Sequence, residues 1–186
     1  MKNTFGQNVT ITLFGESHGA AVGAVLDGIA AGLPADETFI AQRLTLRRPQ
    51  LASDTARKEK DDFRILSGVK DGFTTGAPLT VIVPNEDIRS GDYEQIRNLP
   101  RPSHADYAAR IKYGGYEDYR GGGHFSGRVT AALVAAGAIL LQALENKGVI
   151  IGSHILSCGN VSDERFSLDP TSEIKNTKGK PFPVLN

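Results

Sequence analysis

Hydrophobic residues in the first part of the chain form short runs that predict two strands and then a helix. Residues 9–14 mix β-branched and aromatic side chains, and Gly15 ends the run, which is typical of a strand that leads into a loop. The apolar run 20–29 is too short for periodicity to separate strand from helix, and we interpret it as a second strand. Asp36 is a candidate N-cap for a helix that extends to Pro49, because apolar residues between them recur at helical spacing.

The middle of the chain predicts a charged loop, a hairpin and a short helix. Residues 53–62 carry charges of both signs without apolar periodicity, so we expect a solvated loop. Residues 63–69 and 78–83 have the composition of two strands of a hairpin-like unit. Residues 85–92 are typical of a loop, and residues 105–113 predict a short helix.

The last third contains the clearest helix of the chain, over residues 128–145. A wide apolar stripe runs along it, and Gly148 follows it as a stop signal. Residues 149–156 predict a buried strand in which His154 is a core histidine. Strands and helices in this irregular order indicate an α+β fold rather than a regular βαβ winding, and 186 residues favour one compact body.

Composition excludes several classes of protein. The 21 basic and 21 acidic residues balance, so a general attraction to nucleic acid or to anionic lipid has no support. No stretch comes near the apolar length that a membrane span needs. The single cysteine, Cys158, excludes an internal disulfide and a cysteine-based zinc site. No apolar secretory segment opens the sequence, and a cytoplasmic protein is therefore expected.

Glycine is concentrated in two places, since 12 of the 21 glycines lie between Gly6 and Gly32 or between Gly114 and Gly127. Such clusters mark tight turns or close approaches of the backbone. Residues 15–19 in the first cluster match the G-x-S-x-G pattern of a hydrolase nucleophile elbow, but only 14 residues precede them, too few for the sheet that supports such an elbow. What remains is a strand end that presents His18. Its imidazole either exchanges protons near neutral pH in a functional role or is structural.

Arginines next to loops are the candidate anion ligands. Arg47 either stabilises the end of its helix electrostatically or binds a phosphate or carboxylate, and the sequence leaves both open. Arg101 lies three residues before His104, and Asp106 could orient that imidazole or cap the helix that follows. The glycine-rich segment 118–128 leads directly into the strongest helix, so it is either an anion-binding loop or a flexible surface loop. No histidine pair has metal-ligand spacing, and we expect no metal site.

Taken together, these segments resemble the chorismate synthase family. The phrases that carry the resemblance are FGESHG at 14–19, DG at 27–28 with GLP at 32–34, LSGV at 66–69 with TTGAP at 74–78, HADY at 104–107, and YRGGG at 119–123 leading to Arg128 and AAGA at 135–138. Family members are about twice as long. The resemblance therefore implies that residues 1–186 are the amino-terminal portion of a single domain, whose carboxyl-terminal half is absent from this chain.

The resemblance implies a β-α-β sandwich of the α+β class, with helices packed between antiparallel sheets. It also implies a lyase that converts 5-enolpyruvylshikimate 3-phosphate to chorismate and phosphate by anti 1,4-elimination with reduced FMN, in aromatic amino acid biosynthesis. The full-length family protein is a cytoplasmic homotetramer, and whether this one reduces its flavin with NADPH stays open. A non-catalytic flavin or phosphometabolite binding module, built from the same loops, is the alternative.

The same resemblance assigns roles to individual residues. His18 would manage the proton on the reduced flavin, and His104 would protonate the departing phosphate. Arg101 and Arg128 would hold the anionic groups of the substrate. The residues expected to hold the flavin are Arg47, His124, Phe125 and Ser126. Many relatives have Arg-Ser-Ser-Ala-Arg where this chain has residues 124–128, a departure that bears on the flavin contacts.

Overall fold

The computed structural model describes residues 2–49, 59–86, 90–178, 180 and 182–186. The chain divides into two compact units, one formed by residues 1–48 and 57–139 and the other by residues 49–56 and 140–186. The assignment of residues 1–186 to the amino-terminal portion of one domain stays a prediction.

The first unit is built on a five-stranded antiparallel sheet. The strands of this unit are β1 (Thr4–Gly6), β2 (Thr10–Gly15), β3 (Ala21–Asp27), β4 (Arg64–Ser67), β5 (Val69–Lys70), β6 (Phe73–Thr74) and β7 (Leu79–Pro84). The sheet has the order β1-β2-β3-β7-β4, while β5 and β6 form a separate two-stranded ribbon. Register places Gly15 opposite Val22 and Ala21 opposite Pro84, so the ends of β2, β3 and β7 meet at one edge.

Side chains along β3 and β7 alternate between the two faces of this sheet, and one of these faces is buried. Alternate side chains of the two strands are fully buried, namely Val22, Ala24, Leu26, Leu79, Val81 and Val83. Burying a side chain of valine or leucine size contributes about 1.5–3 kcal/mol relative to leaving it exposed. This rigid sheet therefore fixes the loops at its edges, and the site described below lies on those loops.

The helices are α1 (Glu37–Leu46), α2 (Asp106–Tyr113), α3 (Thr130–Glu145) and α4 (Thr171–Thr177), with 3₁₀ helices at Ser90–Ile96, Arg120–Phe125 and Gly127–Val129. The predicted cap of α1 is confirmed, because the Asp36 carboxylate accepts hydrogen bonds from the backbone amides of Thr38 and Phe39 at 2.8 and 3.4 Å. The predicted helices at 105–113 and 128–145 are also present. The first turn of the latter is 3₁₀ rather than α.

The segment Gly127–Glu145 is long and apolar enough to cross a membrane by length and composition. The expectation that no stretch comes near that length was therefore wrong. The small residues of α3 are packed inside the protein, including Ala131, Ala132, Ala135 and Ala136, all 0% exposed. Their burial is typical of a core helix, in which apolar composition serves interior packing.

The second unit contains one two-stranded ribbon, β8 (Ser157–Cys158) and β9 (Val161–Ser162), and helix α4 within its described residues. The predicted buried strand at 149–156 was wrong, because this run has no regular structure and Ile151 is 51% exposed. An apolar run needs a strand edge to pair with, and periodicity does not supply one. His154 does have the predicted buried side chain, 7% exposed, packed edge-on against Phe166.

The α+β class is confirmed, with mixed helices and antiparallel sheets. The predicted strands at 9–14, 20–29 and 78–83 correspond to β2, β3 and β7. The predicted solvated loop at 53–62 lies partly outside the described residues. In its described part the interpretation was wrong for Asp61, which is only 4% exposed.

Candidate functional site

The turn between β2 and β3 buries a serine and a histidine next to the end of the sheet. Ser17 is 1% exposed and His18 8% exposed. Gly15 makes the turn possible, since its φ is +93° and a Cβ there would lie 2.2 Å from the carbonyl oxygen of Ala21. The Gly19 amide closes the turn by donating to the Glu16 carbonyl oxygen at 3.1 Å.

A second glycine-rich segment, residues 121–123, lies directly on this turn. All three glycines have positive φ, and a Cβ on Gly121 would lie 2.2 Å from Cε1 of the His18 ring. The Ser17 amide donates to the Gly123 carbonyl oxygen at 3.0 Å, and Nδ1 of His124 lies 2.8 Å from the Gly15 carbonyl oxygen. Glycines from both clusters of the sequence therefore form two sides of one site.

Tyr93 connects the His18 turn to the segment that carries His104. Its ring packs edge-on against the His18 imidazole, with the ring centroids 5.1 Å apart, and the Arg101 guanidinium lies 5.5 Å from its centroid. His104 itself is exposed, and its Nδ1 lies 3.0 Å from the Pro102 carbonyl oxygen.

Asp106 neither orients the His104 imidazole nor caps helix α2, the two roles that its position in the sequence suggests. Its carboxylate accepts hydrogen bonds from Nε and Nη2 of Arg101 at 2.8 and 2.9 Å, and helix α2 has no side-chain cap. The Arg101 guanidinium lowers the pKa of Asp106, and the carboxylate in turn raises the pKa of Arg101. Asp106 thus holds Arg101 at the entrance to α2, while His104 has the Pro102 carbonyl as its hydrogen-bond partner.

The start of the glycine loop is anchored by a second arginine–carboxylate pair. Nε and Nη2 of Arg120 donate to the two oxygens of Asp118, each at 2.8 Å. Burial alone would raise the pKa of Asp118, but the hydrogen bonds from Arg120 outweigh it and the pKa lies below its ordinary value. This bidentate pair holds the backbone just before the left-handed glycines.

Arg128 lies at the centre of a buried polar cluster beneath the site. Its side chain is 2% exposed, Nε donates to Asn85 Oδ1 at 2.8 Å and Nη2 donates to the Pro84 carbonyl oxygen at 2.8 Å. Nη1 donates to the carboxylate of Asp61, which also accepts from Nη1 of Arg47 at 2.7 Å. Two guanidinium groups thus share one buried carboxylate.

Sequence reasoning missed Asp61 and Asn85. The charged run predicts a solvated loop for Asp61, whereas the structure buries it. Glu59, two residues earlier, faces the same cluster, with its Oε2 3.9 Å from Arg128 Nη2. The available signal in the sequence was the spacing of these two acidic residues, which are separated by one residue just before β4. For Asn85 the signal was its place immediately after the buried strand β7.

The flavin ligands predicted at 124–126 include one exposed aromatic ring. Phe125 is 43% exposed, its ring centroid lies 6.1 Å from that of Tyr113, and Nζ of Lys112 is 5.5 Å from it. An exposed aromatic face beside a cation fits a planar, phosphate-bearing cofactor. Ser126 is engaged within the chain, since its Oγ accepts from the Arg128 amide at 3.3 Å.

Comparison with known proteins places residues 9–183 within the family model of chorismate synthase. Among curated relatives, chorismate synthase of Korarchaeum cryptofilum is 50% identical over 166 residues, covering 89% of this chain and 46% of the relative. That of Pyrobaculum aerophilum is 44% identical over 186 residues, covering 99% of this chain and 50% of the relative. The chain spans about half the length of the curated relatives it matches.

A solved structure is similar as well. A crystal structure of chorismate synthase superimposes with a TM-score of 0.60 at 34% identity, covering 84% of this chain and 39% of that one. The agreement in fold supports the α+β class.

Proposed function

The chain belongs to the chorismate synthase family, and from that premise we propose that the intact protein is a lyase. The reaction converts 5-enolpyruvylshikimate 3-phosphate to chorismate and phosphate, in the shikimate pathway of aromatic amino acid biosynthesis. The observation that carries the proposal is the buried His18 turn enclosed by the 121–123 glycines, next to Arg128 and Arg47, which share the Asp61 carboxylate. It brings a proton-exchanging group close to guanidinium groups, the side chains that bind phosphate and carboxylate oxygens in pairs.

In the proposed anti 1,4-elimination the substrate loses a ring proton and the carbon–oxygen bond to phosphate. The bonding pair of the broken C–H bond forms one new double bond, the double bond already in the ring shifts by one position, and the pair of the C–O bond leaves with phosphate. Reduced FMN, when bound, supplies electron density that assists this departure. Every other contribution comes from side chains that bind, orient or protonate.

The two histidines have different environments, which suits different tasks. His18 is 8% exposed under Gly121, where a fixed imidazole holds or moves one proton at the flavin. His104 is exposed, so its ring is free to approach the phosphate oxygen that leaves. A general acid at that oxygen lowers the barrier because phosphate departs more easily once it is protonated.

The arginines supply positive charge at two places. The side chains of Arg47 and Arg101 are each 23% exposed, so both reach the surface, although each guanidinium also binds a carboxylate of the chain. Arg128 is engaged with protein acceptors and contributes as the fixed positive centre of its cluster. Arg101 and Arg128 are proposed to attract the substrate, and Arg47 the flavin.

Residues 124–126 are proposed to line the flavin. Phe125 offers its exposed ring for stacking, while His124 and Ser126 hold the backbone of the loop through the contacts to Gly15 and Arg128. If the flavin ring stacks on Phe125, it lies beside Lys112, whose ammonium group suits an anionic partner.

The direct test is to mix the intact protein with reduced FMN and the substrate under anaerobic conditions. We expect release of phosphate together with the absorbance of chorismate. A parallel reaction with oxidised FMN and NADPH shows whether the protein reduces its own flavin. Absence of phosphate release from correctly folded protein with reduced FMN would overturn the proposal.

His18→Ala separates an enzyme from a non-catalytic binding module. An enzyme loses turnover while its affinity for FMN and substrate, measured by calorimetry, changes little. A binding module would show no turnover in either form. Ser17→Ala is the matched control against hydrolase chemistry, since only a hydrolase would lose an esterase activity through this change.

We also propose that the intact protein is a cytoplasmic homotetramer that contacts neither nucleic acid nor membrane. The family resemblance and the balanced charge support this assignment. Light scattering on the intact protein measures its mass, and a stable monomer would contradict the tetramer.

A further inference from the structure

Asn85 lies at the junction between the His18 turn and the Arg128 cluster. Its Nδ2 donates to the carbonyl oxygens of Glu16 and Gly19, at 2.9 and 2.8 Å. Its Oδ1 accepts from Nε of Arg128 at 2.8 Å. One carboxamide therefore holds both ends of the turn and, on its other side, the buried guanidinium.

This network uses every polar atom of the Asn85 carboxamide in one orientation. If the amide were rotated by 180°, its NH₂ group would face the N–H of Arg128, and its oxygen would face two carbonyl oxygens. Aspartate has no donor for the turn, and glutamine is longer by one methylene. The backbone amide of Asn85 also donates to the Ala20 carbonyl oxygen at 3.1 Å, so the residue itself is held against the start of β3.

The chain of contacts continues from Asn85 into the charged cluster. Arg128 binds Asp61, and Asp61 also binds Arg47. The turn with His18 and the two arginines are thus held in one hydrogen-bonded assembly. Because β7 ends at Pro84 and the Asn85 amide bonds to the Ala20 carbonyl oxygen, the backbone of Asn85 is held at the end of the sheet.

We infer that Asn85 is a positioning residue, which fixes the Ser17–His18 turn against the buried Arg128–Asp61–Arg47 cluster so that the imidazole meets the ligand in one geometry. This inference rests on the proposed lyase reaction, in which His18 moves a proton. It adds a residue that touches neither substrate nor flavin and acts through the two carbonyl oxygens of the turn.

The test variant is Asn85→Asp, which keeps the size of the side chain and the acceptor for Arg128 but removes both donors to the turn. The matched control is Asn160→Asp, the same chemical change at an exposed residue beside Gly159, in the turn between β8 and β9. In the intact protein with reduced FMN, we expect Asn85→Asp to lower kcat about 100-fold, since misplacement by about 1 Å has an effect of that order. KM should change little, because the arginines keep their partners.

Amide hydrogen exchange tests the positioning without substrate or cofactor. The Ser17 and Gly19 amides bond within the site, so Asn85→Asp should reduce their protection. The amides of the α3 core around Ala135 should keep theirs. The aromatic proton resonances of His18, which lie beside the Tyr93 ring, should move in the same variant and not in Asn160→Asp.

Unchanged protection at Ser17 and Gly19 would overturn the inference, and so would an equal loss of protection throughout α3, which indicates general destabilisation. If Asn85→Asp does not fold, Asn85→Ser answers the same question, because its small side chain leaves room for water at the two carbonyls. Failure of both variants to fold would also overturn a positioning role. A wild-type protein without lyase activity would refute the proposed function, whereas the exchange pattern would still decide the role of Asn85.

Discussion

The Arg128 guanidinium binds the Asp61 carboxylate in the interior of the first unit, and the two side chains are only 2% and 1% exposed. Residues 67 positions apart in the chain thereby form a buried ion pair. Such a pair contributes little net stability compared with an apolar pair, but removal of one partner leaves an uncompensated buried charge.

We therefore predict that Asp61→Asn destabilises the protein by about 3–5 kcal/mol, the cost typical of breaking a buried ion pair. Urea denaturation of the intact protein measures this difference. Asp62→Asn is the matched control, because Asp62 is the next residue in the chain and is exposed. This variant should change the free energy of unfolding by less than about 0.5 kcal/mol. Equal stabilities of the two variants would contradict the structural role of Asp61.

Gly121→Ala should disrupt the site through a steric clash. The new Cβ would lie 2.2 Å from Cε1 and 2.3 Å from Nδ1 of His18, so either the imidazole or the loop must move. Gly122→Ala is the control, since Gly122 also has a positive φ but its Cβ would meet nothing closer than 3.8 Å. We expect the first variant to lose about 100-fold or more in kcat and the second to retain most of it, measured by phosphate release.

The Arg101–Asp106 pair predicts a defined pH dependence of stability. The hydrogen bond from Arg101 lowers the pKa of Asp106 in the folded protein, so its contribution is present above the unfolded pKa of about 3.9 and is lost as the pH falls through the folded pKa. Because the pair is partly exposed, that contribution is about 1 kcal/mol or less.

Denaturation of wild type and Asp106→Asn at neutral pH and near pH 3 measures this dependence, with the two pH values on either side of the ordinary aspartate pKa of about 3.9. The difference in unfolding free energy should be largest at neutral pH and shrink in acid. Because Asp118 titrates in both proteins, the difference between wild type and Asp106→Asn isolates the contribution of Asp106. A difference that grows with acidification would have the wrong sign.

Tyr93 should restrain the His18 ring through its own ring and not through its hydroxyl. Tyr93→Phe keeps the edge-on contact at 5.1 Å, and its kcat should stay close to that of wild type. Tyr93→Ala removes the contact and should lower kcat about tenfold, less than the factor of about 100 or more expected for loss of a general acid. Steady-state phosphate release measures both, and equal losses in the two variants would assign the effect to the hydroxyl.

Local elements were predictable from the sequence wherever the signal is itself local. The Asp36 cap, the run that forms β2 and the apolar stripe of α3 depend on neighbours within a few residues, and all three are present. The prediction of a strand at 149–156 was wrong because the same apolar composition occurs in strands, in helices and in exposed connections. Only the presence of a pairing edge separates these possibilities.

The candidate site could be predicted in its parts but not in its arrangement. Motif spacing identified His18, Arg128 and the glycines at 121–123, which carry the family resemblance. It did not indicate that Gly121 lies on the His18 ring, or that Asp61 is buried. A charged run looks the same in sequence whether its carboxylates face water or guanidinium groups.

The sequence by itself determined the family, the order of most strands and helices, and the two glycine clusters, because residue type and short-range spacing carry these properties. Only the tertiary structure decided which groups share a site. His124 meets Gly15 across 109 positions, and Asn85 joins the His18 turn to Arg128 across separations of more than 40. Such contacts arise when the sheet brings the ends of β2 and β7 to one edge, a consequence of strand pairing that no local pattern encodes.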